Sequence, residues 1–273
     1  MTDLVIRRLL IDLDRPVARD WCGGDAFSTA FFNALSMSFP FGEQFFIDAV
    51  RDTVATLAPK EHAQHKAAMQ GFIGQEATHR RIHSLFNAQL AKQGLVDRWT
   101  PRAQKRAKIL DGADPRHSLA ITAATEHFTA MFADWLLAHP EVLAGAEPRL
   151  RTMWLWHSAE EFEHRDTAFD IYRAADGSEK WRLRWFRRTT LIFMGDLVRQ
   201  TVANLRHEGQ LWKWATWRSG ARILFSRDGL VRSNVAAWRS YFRADFHPSQ
   251  QQSDLSERWL HENAALFAPV SRR

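Results

Sequence analysis

The sequence contains little of several residue types and patterns that mark particular classes of protein. Its 273 residues include one cysteine, Cys22, which excludes an internal disulfide and agrees with a reducing compartment. No stretch reaches the roughly 18 consecutive apolar residues of a membrane-spanning helix, and the first residues lack the long apolar core of a signal peptide. Glycine-rich phosphate loops, Ser-His-Asp arrangements and cysteine-based zinc motifs are also absent. We therefore expect a cytoplasmic, globular protein whose chemistry depends on other residues.

The most informative segment that is present, WHSAEEFEHRDTAFD, carries two histidines and a glutamate at helical spacing. His157, Glu161 and His164 stand at positions i, i+4 and i+7, which lie on one face of an α-helix. A second segment, GFIGQEATHRRIH, repeats the Glu-x-x-His spacing with Glu76 and His79. Carboxylate and imidazole groups aligned in this way indicate a metal site to which each helix contributes part of the ligands.

Two single glutamates complete the pattern. Glu43 in FPFGEQFF precedes Glu76 by 33 residues, and Glu126 in TAATEHFTA precedes Glu161 by 35. One glutamate from each of two helices, with Glu-x-x-His from each of two others, is the di-iron carboxylate pattern of ferritin-like bundles. We therefore predict an all-α protein with a ferritin-like four-helix bundle that carries a dinuclear metal site.

The predicted ligands are the acidic and imidazole groups of these four segments: Glu43, Glu76, His79, Glu126, His157, Glu161 and His164. Glu160 competes with Glu161. The Glu-x-x-His spacing selects Glu161, but Glu160 also lies within reach of His164 at i+4, so the choice stays open. We expect His83, seven residues after Glu76, to be a hydrogen-bond partner of the ligands, and Glu160 to be one if Glu161 binds metal.

Other local patterns predict where the helices begin and end. Asp25 is a suitable N-cap for the first helix. Pro40 is expected to interrupt that helix, which would resume there and carry Glu43. The fourth bundle helix is predicted to run from Pro148 to about Ala174.

These segments resemble a bacterial family described only as predicted metal-dependent hydrolases with a ferritin-like fold. The resemblance rests on FFNALSMSFPFGEQFF, QEATHRRIH, TEHFTA and WHSAEEFEHRDTAFD, within about residues 25–175. With His157 the last segment reads His-x-x-x-Glu-x-x-His, which is similar to the site motif of the non-haem di-iron arylamine N-oxygenases. The first resemblance implies a metal-dependent enzyme. The second implies a third histidine ligand and says nothing about a shared substrate.

Four carboxylates and three imidazoles suit iron or manganese better than structural zinc. We expect two iron ions, with manganese as the alternative, because four positive charges would balance four glutamates. Three functions follow. The favoured one is a di-iron oxidase or oxygenase that activates O₂ to oxidise an apolar or aromatic small molecule, with an electron donor as partner. The others are a two-metal hydrolase and a non-enzymatic iron-binding bundle.

The end of the chain differs in composition, so we divide it into a bundle, residues 1–177, and a helical extension packed on it, residues 178–273. Residues 180–245 hold 14 Lys and Arg against 4 Asp and Glu, with 6 of the 12 tryptophans. We expect the tryptophans to pack on the bundle and the arginines to be solvated, without nucleic acid. The alternative is peripheral contact with the inner membrane face and a lipid-like substrate. It rests on an apolar and basic set: Trp181, Trp185, Phe186, Leu191, Ile192, Phe193, Arg182, Arg184, Arg187 and Arg188. A homodimer is a further expectation.

Overall fold

Helices make up nearly all of the regular structure. The computed structural model describes residues 4–270, and the predicted all-α class is confirmed there. In chain order the helices of this range are α1 (Ala26–Val54), α2 (Pro59–Lys92), α3 (Thr100–Ala107), α4 (Pro115–Ala138), α5 (Pro148–His164), α6 (Thr167–Ala174), α7 (Glu179–His207), α8 (Trp214–Phe225), α9 (Leu230–Ser240) and α10 (Leu255–Glu262). Two short strands, β1 (Arg7–Leu9) and β2 (Phe267–Pro269), pair antiparallel.

Most helices begin where local chemistry favours a start. The side chain of Asp25 accepts a hydrogen bond from the backbone N–H of Ser28 at 2.7 Å, which confirms it as the N-cap of α1. Pro59, Pro115 and Pro148 open α2, α4 and α5. Proline is tolerated at this position because the first N–H groups of a helix have no intrahelical partner.

Pro40 lies inside α1, so the predicted interruption at this residue is wrong. The helix continues because the hydrogen bond that proline cannot donate is replaced from another helix. The carbonyl of Ser36, four residues before Pro40, accepts instead from the side-chain amide of Asn87 on α2 at 2.9 Å. The carbonyl that proline frees is therefore not left without a hydrogen-bond partner.

The fourth helix ends earlier than predicted. Helix α5 stops at His164, a turn follows at residues 165–166, and α6 continues to Ala174. The guanidinium of Arg165 donates to the carbonyl of Phe162, which is an acceptor near the end of α5. The Phe162 carbonyl thus has a side-chain donor at the point where α5 ends.

Four helices form the central arrangement. Helix α1 packs along α2 and against α4, α4 packs along α5, and α2 contacts α5. The two larger apolar clusters occupy this arrangement, and α1 contributes Phe39 to one and Phe46 to the other. Glu43 stands between these two phenylalanines in the sequence, and its side chain is buried. The all-α class is thus established, whereas the ferritin-like topology stays a prediction.

The later helices pack on this arrangement. Helix α7 contacts α1 and α4, α8 contacts α1, α9 contacts α4, and α10 contacts α5. Leu197 and Leu205 of α7 belong to the same apolar cluster as Trp154 of α5. Apolar packing therefore runs across the boundary that the sequence places after residue 177, and the division into two domains stays a prediction.

The basic and aromatic residues of α7 point in different directions. Phe186 and Arg182 are buried, and the Arg182 guanidinium donates to the carbonyls of Tyr241 and Arg243. Leu191 is instead 76% exposed. Only part of the segment could therefore face a membrane surface, and that contact stays a prediction. Among the described residues, none of the helices combines the length and hydropathy needed to cross a bilayer.

The segment that contains β1 lies against α2, as two glycines show. A Cβ added at Gly71 would stand 2.6 Å from the Cβ of Leu4, and one at Gly74 would stand 2.1 Å from the Cδ1 of Ile6. Both distances are too short for any residue with a side chain unless the neighbour moves. The two glycines thus allow the N-terminal segment to pack close to the helix that carries Glu76.

Candidate metal centre

The seven predicted ligands come together inside the four central helices. Helix α1 supplies one glutamate, α2 a Glu-x-x-His pair, α4 one glutamate and α5 the remaining three side chains. Each is at most 4% exposed: Glu43, Glu76, His79, Glu126, His157, Glu161 and His164. Burial of so many ionisable groups requires strong compensation, because an isolated buried charge is costly.

Two sets of these side chains share Glu76. In the first set, the potential ligand atoms of Glu76, Glu126, Glu161 and His164 all lie within 4.8 Å of one another. The Nε2 atom of His164 is 3.2 Å from a Glu76 oxygen and 3.3 Å from a Glu126 oxygen. The set on the other side of Glu76 has the same spacing and consists of Glu43, Glu76 and His79. Each of these two neighbouring sets would be able to hold a metal ion.

Glu161 also connects the two sides. Its ligand atom lies within 4.8 Å of those of His79 and His157, and the Nδ1 atom of His79 is 3.4 Å from its Oε1. Its other oxygen, Oε2, is 3.7 Å from the Nε2 atom of His164. Glu161 therefore faces all three histidines of the predicted set.

Many polar atoms that point into this cluster have no hydrogen-bond partner among residues 4–270. They include both carboxylate oxygens of three glutamates, together with single atoms of a fourth glutamate and two histidines: Glu43, Glu76, Glu126, Glu161, His79 and His164. Buried polar groups are almost always paired, so atoms left without partners here match the donor set of a bound metal. Oxygen and nitrogen donors of this kind suit iron or manganese.

Two further side chains hold the histidines from behind. The Nε2 atom of His79 is 2.9 Å from Glu160 Oε2, which leaves Nδ1 directed at the cluster. His164 is arranged in the opposite sense, since its Nδ1 atom is 2.9 Å from Gln75 Oε1 and its Nε2 faces the glutamates. A hydrogen bond to the second ring nitrogen fixes the orientation and tautomer of a ligating histidine. Glu160 is thus placed behind His79 and not among the cluster oxygens.

Arg7 joins these two supports. Its guanidinium donates to Glu160 at 3.0 Å and to Glu163 at 2.7 Å. Glu163 also accepts a hydrogen bond of 2.6 Å from the amide of Gln75. The same amide donates to the carbonyl of Val5 at 3.0 Å. The N-terminal segment is therefore bonded to the outer partners of both histidines. No sequence motif indicates that Arg7, Gln75 or Glu163 supports the metal centre.

His157 and His83 form a second polar chain. The Nε2 atom of His157 is 2.7 Å from Glu161, and its Nδ1 is 2.5 Å from the Nε2 of His83. The Nδ1 atom of His83 is in turn 2.9 Å from the hydroxyl oxygen of Ser36. Burial lowers the pKa of His157 to about 4, so the ring is neutral, as a ligand must be. Ligand atoms of Glu43, His83 and His157 also lie within 4.8 Å, and the ranking of the two histidines stays a prediction.

Without a metal ion, the buried glutamates and histidines of the cluster compensate one another's charges by changes in protonation. Burial raises the pKa of Glu43 well above its ordinary value, and the neighbouring Glu76 raises it further. Burial also raises the pKa of Glu126 to about 8. Burial would raise the pKa of Glu161 too, but its histidine neighbours prevail and hold it well below its usual range. Burial lowers the pKa of His79, yet contacts with two glutamates bring it to about 10. Metal binding must therefore displace protons.

An apolar pocket of about 450 Å³ lies between α1, α3, α4 and α7. On α1 its wall includes Phe39 and Phe46, which stand one turn before and one turn after Glu43. Residues at these spacings share a helix face with Glu43. The pocket wall and the metal cluster are therefore neighbours along α1.

The α4 side of the pocket is similar. Thr125 and Thr129 line it on either side of Glu126. Their hydroxyls are occupied within the helix, because Thr125 donates to the carbonyl of Ile121 at 2.9 Å and Thr129 to that of Glu126 at 3.0 Å. Both hydroxyls thus have no proton free for a ligand in the pocket and can only accept hydrogen bonds there. The pocket depends on the packing of four helices, which no local sequence pattern reveals.

Comparison with known proteins identifies the family. A model of the family described as "Predicted metal-dependent hydrolase" matches residues 5–252, and the chain therefore belongs to that family. The match confirms the family resemblance and extends beyond the motifs that carry it, through α7, α8 and α9. No curated protein and no solved structure matches the chain.

Proposed function

We propose that this protein is a dinuclear metal enzyme that uses dioxygen to oxidise an apolar small molecule. The observation that carries the proposal is the buried cluster of unpartnered carboxylate and imidazole atoms beside an apolar pocket. Iron fits the donor set, and manganese is the alternative. Glu76 and Glu161, which each belong to groups on both sides of the cluster, would be among the residues that hold the ions.

A pair of iron ions held by these residues would supply two-electron chemistry with dioxygen. A hydroxylation consumes R–H, O₂, two electrons and two protons, and it gives R–OH and water. The electrons come from a reduced protein or a reduced organic cofactor, so an electron donor is part of the proposal. The protein contributes binding, orientation and exclusion of water.

The side chains around the cluster are suited to those tasks. Glu160 and Gln75 hold the rings of His79 and His164 through the nitrogens that face away from the cluster. The Trp156 ring centroid lies 5.0 Å from that of His79, and aromatic packing of this kind keeps water from the ligands. Such a dry and preorganised site strengthens the electrostatic interactions within it.

A two-metal hydrolase is the second candidate, and the description of the family favours it. Such an enzyme cleaves a polar bond with water and needs polar groups to orient the substrate. On the α4 side the pocket offers no hydroxyl donor, since Thr125 and Thr129 donate to their own helix. Its arginines, Arg106 and Arg188, lie at the rim. The lining is therefore more suitable for an apolar substrate.

Metal analysis with an optical spectrum of aerobically purified protein tests the proposal. We expect about two iron ions per chain, as in two-metal sites, a ferric absorption band, and oxygen consumption after reduction. Colourless protein that contains only zinc or manganese and hydrolyses ester or phosphoester substrates would favour the second candidate.

Ligand substitutions test the site itself. Glu126→Ala and Glu161→Ala should each lower the metal content well below that of the wild type, because each removes a carboxylate from the four-residue group. Glu141→Ala, at an exposed position after α4, is the matched control and should retain the metal. Full metal retention by both ligand variants would contradict the assignment.

A further inference from the structure

The outer end of the apolar pocket is open and bordered by exposed hydrocarbon. Ile109, just after α3, is 79% exposed, and Leu191 of α7 is 76% exposed; both line the pocket. Ile192, which also lines it, is 41% exposed. An apolar cavity that continues into exposed apolar side chains is typical of a binding site for an apolar ligand.

The rim of this pocket carries positive charge. Arg188 of α7 lines the pocket and is exposed, and its guanidinium carbon lies 5.4 Å from the ring centroid of Trp185. Arg106 lines it from α3 and pairs with Asp196 of α7. Asp196 is buried and is shared with Arg102 at 2.8 Å. The rim therefore holds more arginines than carboxylates.

The buried end of the pocket has the opposite character. There the wall includes Phe39 and Phe46 beside Glu43, and threonines whose hydroxyl protons are already donated within α4. A ligand that matches the whole pocket has an anionic group at the rim and hydrocarbon toward the metal cluster. A second anionic group at the inner end of the ligand would find no hydroxyl donor on α4.

We propose that the pocket binds a single-chain amphiphile with an anionic head group. The head lies at Arg188, and the chain passes between α3 and α7 toward Glu43 and Glu126. That this ligand is the substrate rests on the proposed function, whereas its binding does not. The volume of about 450 Å³ is within the range of small-molecule sites, roughly 300–1,000 Å³.

Calorimetric titration of the full chain with monomeric ligands tests the binding. The probes are laurate, dodecyl phosphate and dodecanol, which share one chain length and differ in the head group. Both anions should bind more tightly than the alcohol. Across the saturated acids from octanoate to laurate, the affinity should rise about fourfold for each added methylene, because each buried CH₂ contributes about 0.8 kcal/mol.

Two substitutions distinguish binding of the ligand's head group from binding of its hydrocarbon chain. Arg188→Gln should weaken laurate and dodecyl phosphate about two- to fivefold, as expected for an exposed ion pair, and should leave dodecanol unchanged. Ala107→Trp places a large ring in the pocket wall and should weaken all three probes about tenfold or more. Ala88→Trp, at an exposed position of α2, is the matched control, and far-ultraviolet circular dichroism verifies the fold of each variant.

The outcomes distinguish this inference from the proposed function. Absence of binding by all three probes in metal-loaded protein would overturn the inference and leave the proposed function intact. Equal affinity for laurate and dodecanol, insensitive to Arg188→Gln, would overturn the anionic head group. Unchanged binding in Ala107→Trp would overturn the location. Tight, chain-dependent binding by protein that holds no redox metal would support the pocket and refute the proposed oxidation.

Discussion

Arg7 offers the sharpest test of how the metal centre is supported. Arg7→Met removes the guanidinium and keeps a side chain of similar length. It breaks the bonds to Glu160 and Glu163, which in turn hold His79 directly and His164 through Gln75. We therefore expect both a loss of stability and a loss of metal affinity.

The magnitude follows from the burial of the partners. Glu160 has no exposed side-chain surface, whereas the side chain of Glu163 is 27% exposed and can be partly solvated. Removal of the cation leaves the buried Glu160 carboxylate with His79 as its remaining charged partner at 2.9 Å. The loss should therefore lie at or below the lower end of the about 3–5 kcal/mol that breaking a buried ion pair costs. Weaker support for the two histidines should reduce the metal affinity about 10- to 100-fold.

Chemical denaturation of metal-free protein measures the first effect, and competition with a chelator measures the second. Arg8→Met is the matched control, since Arg8 is adjacent in β1 and its side chain is exposed. It should change neither quantity appreciably. The double variant Arg7→Met with Glu160→Gln should recover part of the stability, because it removes the buried charge that has lost its Arg7 partner.

The two measurements can refute the reasoning separately. If Arg7→Met loses stability but binds metal as tightly as the wild type, Arg7 supports only the fold. If it loses neither, the ion pair with Glu160 contributes nothing measurable. Weaker metal binding with an unchanged metal-to-protein ratio at saturation would show that Arg7 positions the ligands without being one.

Two further predictions concern other histidines. His157→Ala should remove metal or alter its spectrum strongly, whereas His83→Ala should change the metal affinity about 10- to 100-fold; the reverse ranking would show that His83 is the third histidine ligand. His127 is a test of stability, because burial lowers its pKa to about 4 in the folded protein from the ordinary 6.5. Between these two pH values the imidazole binds a proton only in the unfolded chain. Protonation of His127 therefore costs no stability above pH 6.5, and it lowers the free energy of unfolding by about 3 kcal/mol as the pH falls to 4. Denaturation of wild type and His127→Gln across this range should show the difference shrinking toward low pH, and parallel curves would refute it.

Much of the cluster could be predicted because helical periodicity translates sequence spacing into a shared face. His157, Glu161 and His164 are on one helix, and the structure directs all three toward the same cluster. The paired spacing of Glu43 to Glu76 likewise anticipated that both helices would contribute. Prediction of these residues required only the local geometry of a helix and the cost of burying an unpaired carboxylate.

The outer partners could not be predicted in this way, because they depend on contacts between distant parts of the chain. Arg7 and Glu160 are 153 residues apart, and Gln75 and His164 are 89 apart. Sequence spacing also left Glu160 and Glu161 unresolved. In the structure the two neighbours face different partners: Glu160 faces Arg7 and the rear of His79, and Glu161 faces the cluster.

Departures from local sequence rules occur close to the centre, and other parts of the chain compensate for them. A proline within a helix costs about 3 kcal/mol or more, yet Pro40 precedes Glu43 by three residues in an unbroken helix, because Asn87 occupies the freed Ser36 carbonyl. The Ser36 hydroxyl also contacts His83. Gly74, which weakens a helix locally, admits the segment that brings Arg7 to the support of the histidines. Such exceptions are expected at functional sites, and here they link the backbone geometry of α1 and α2 to the orientation of the candidate ligands.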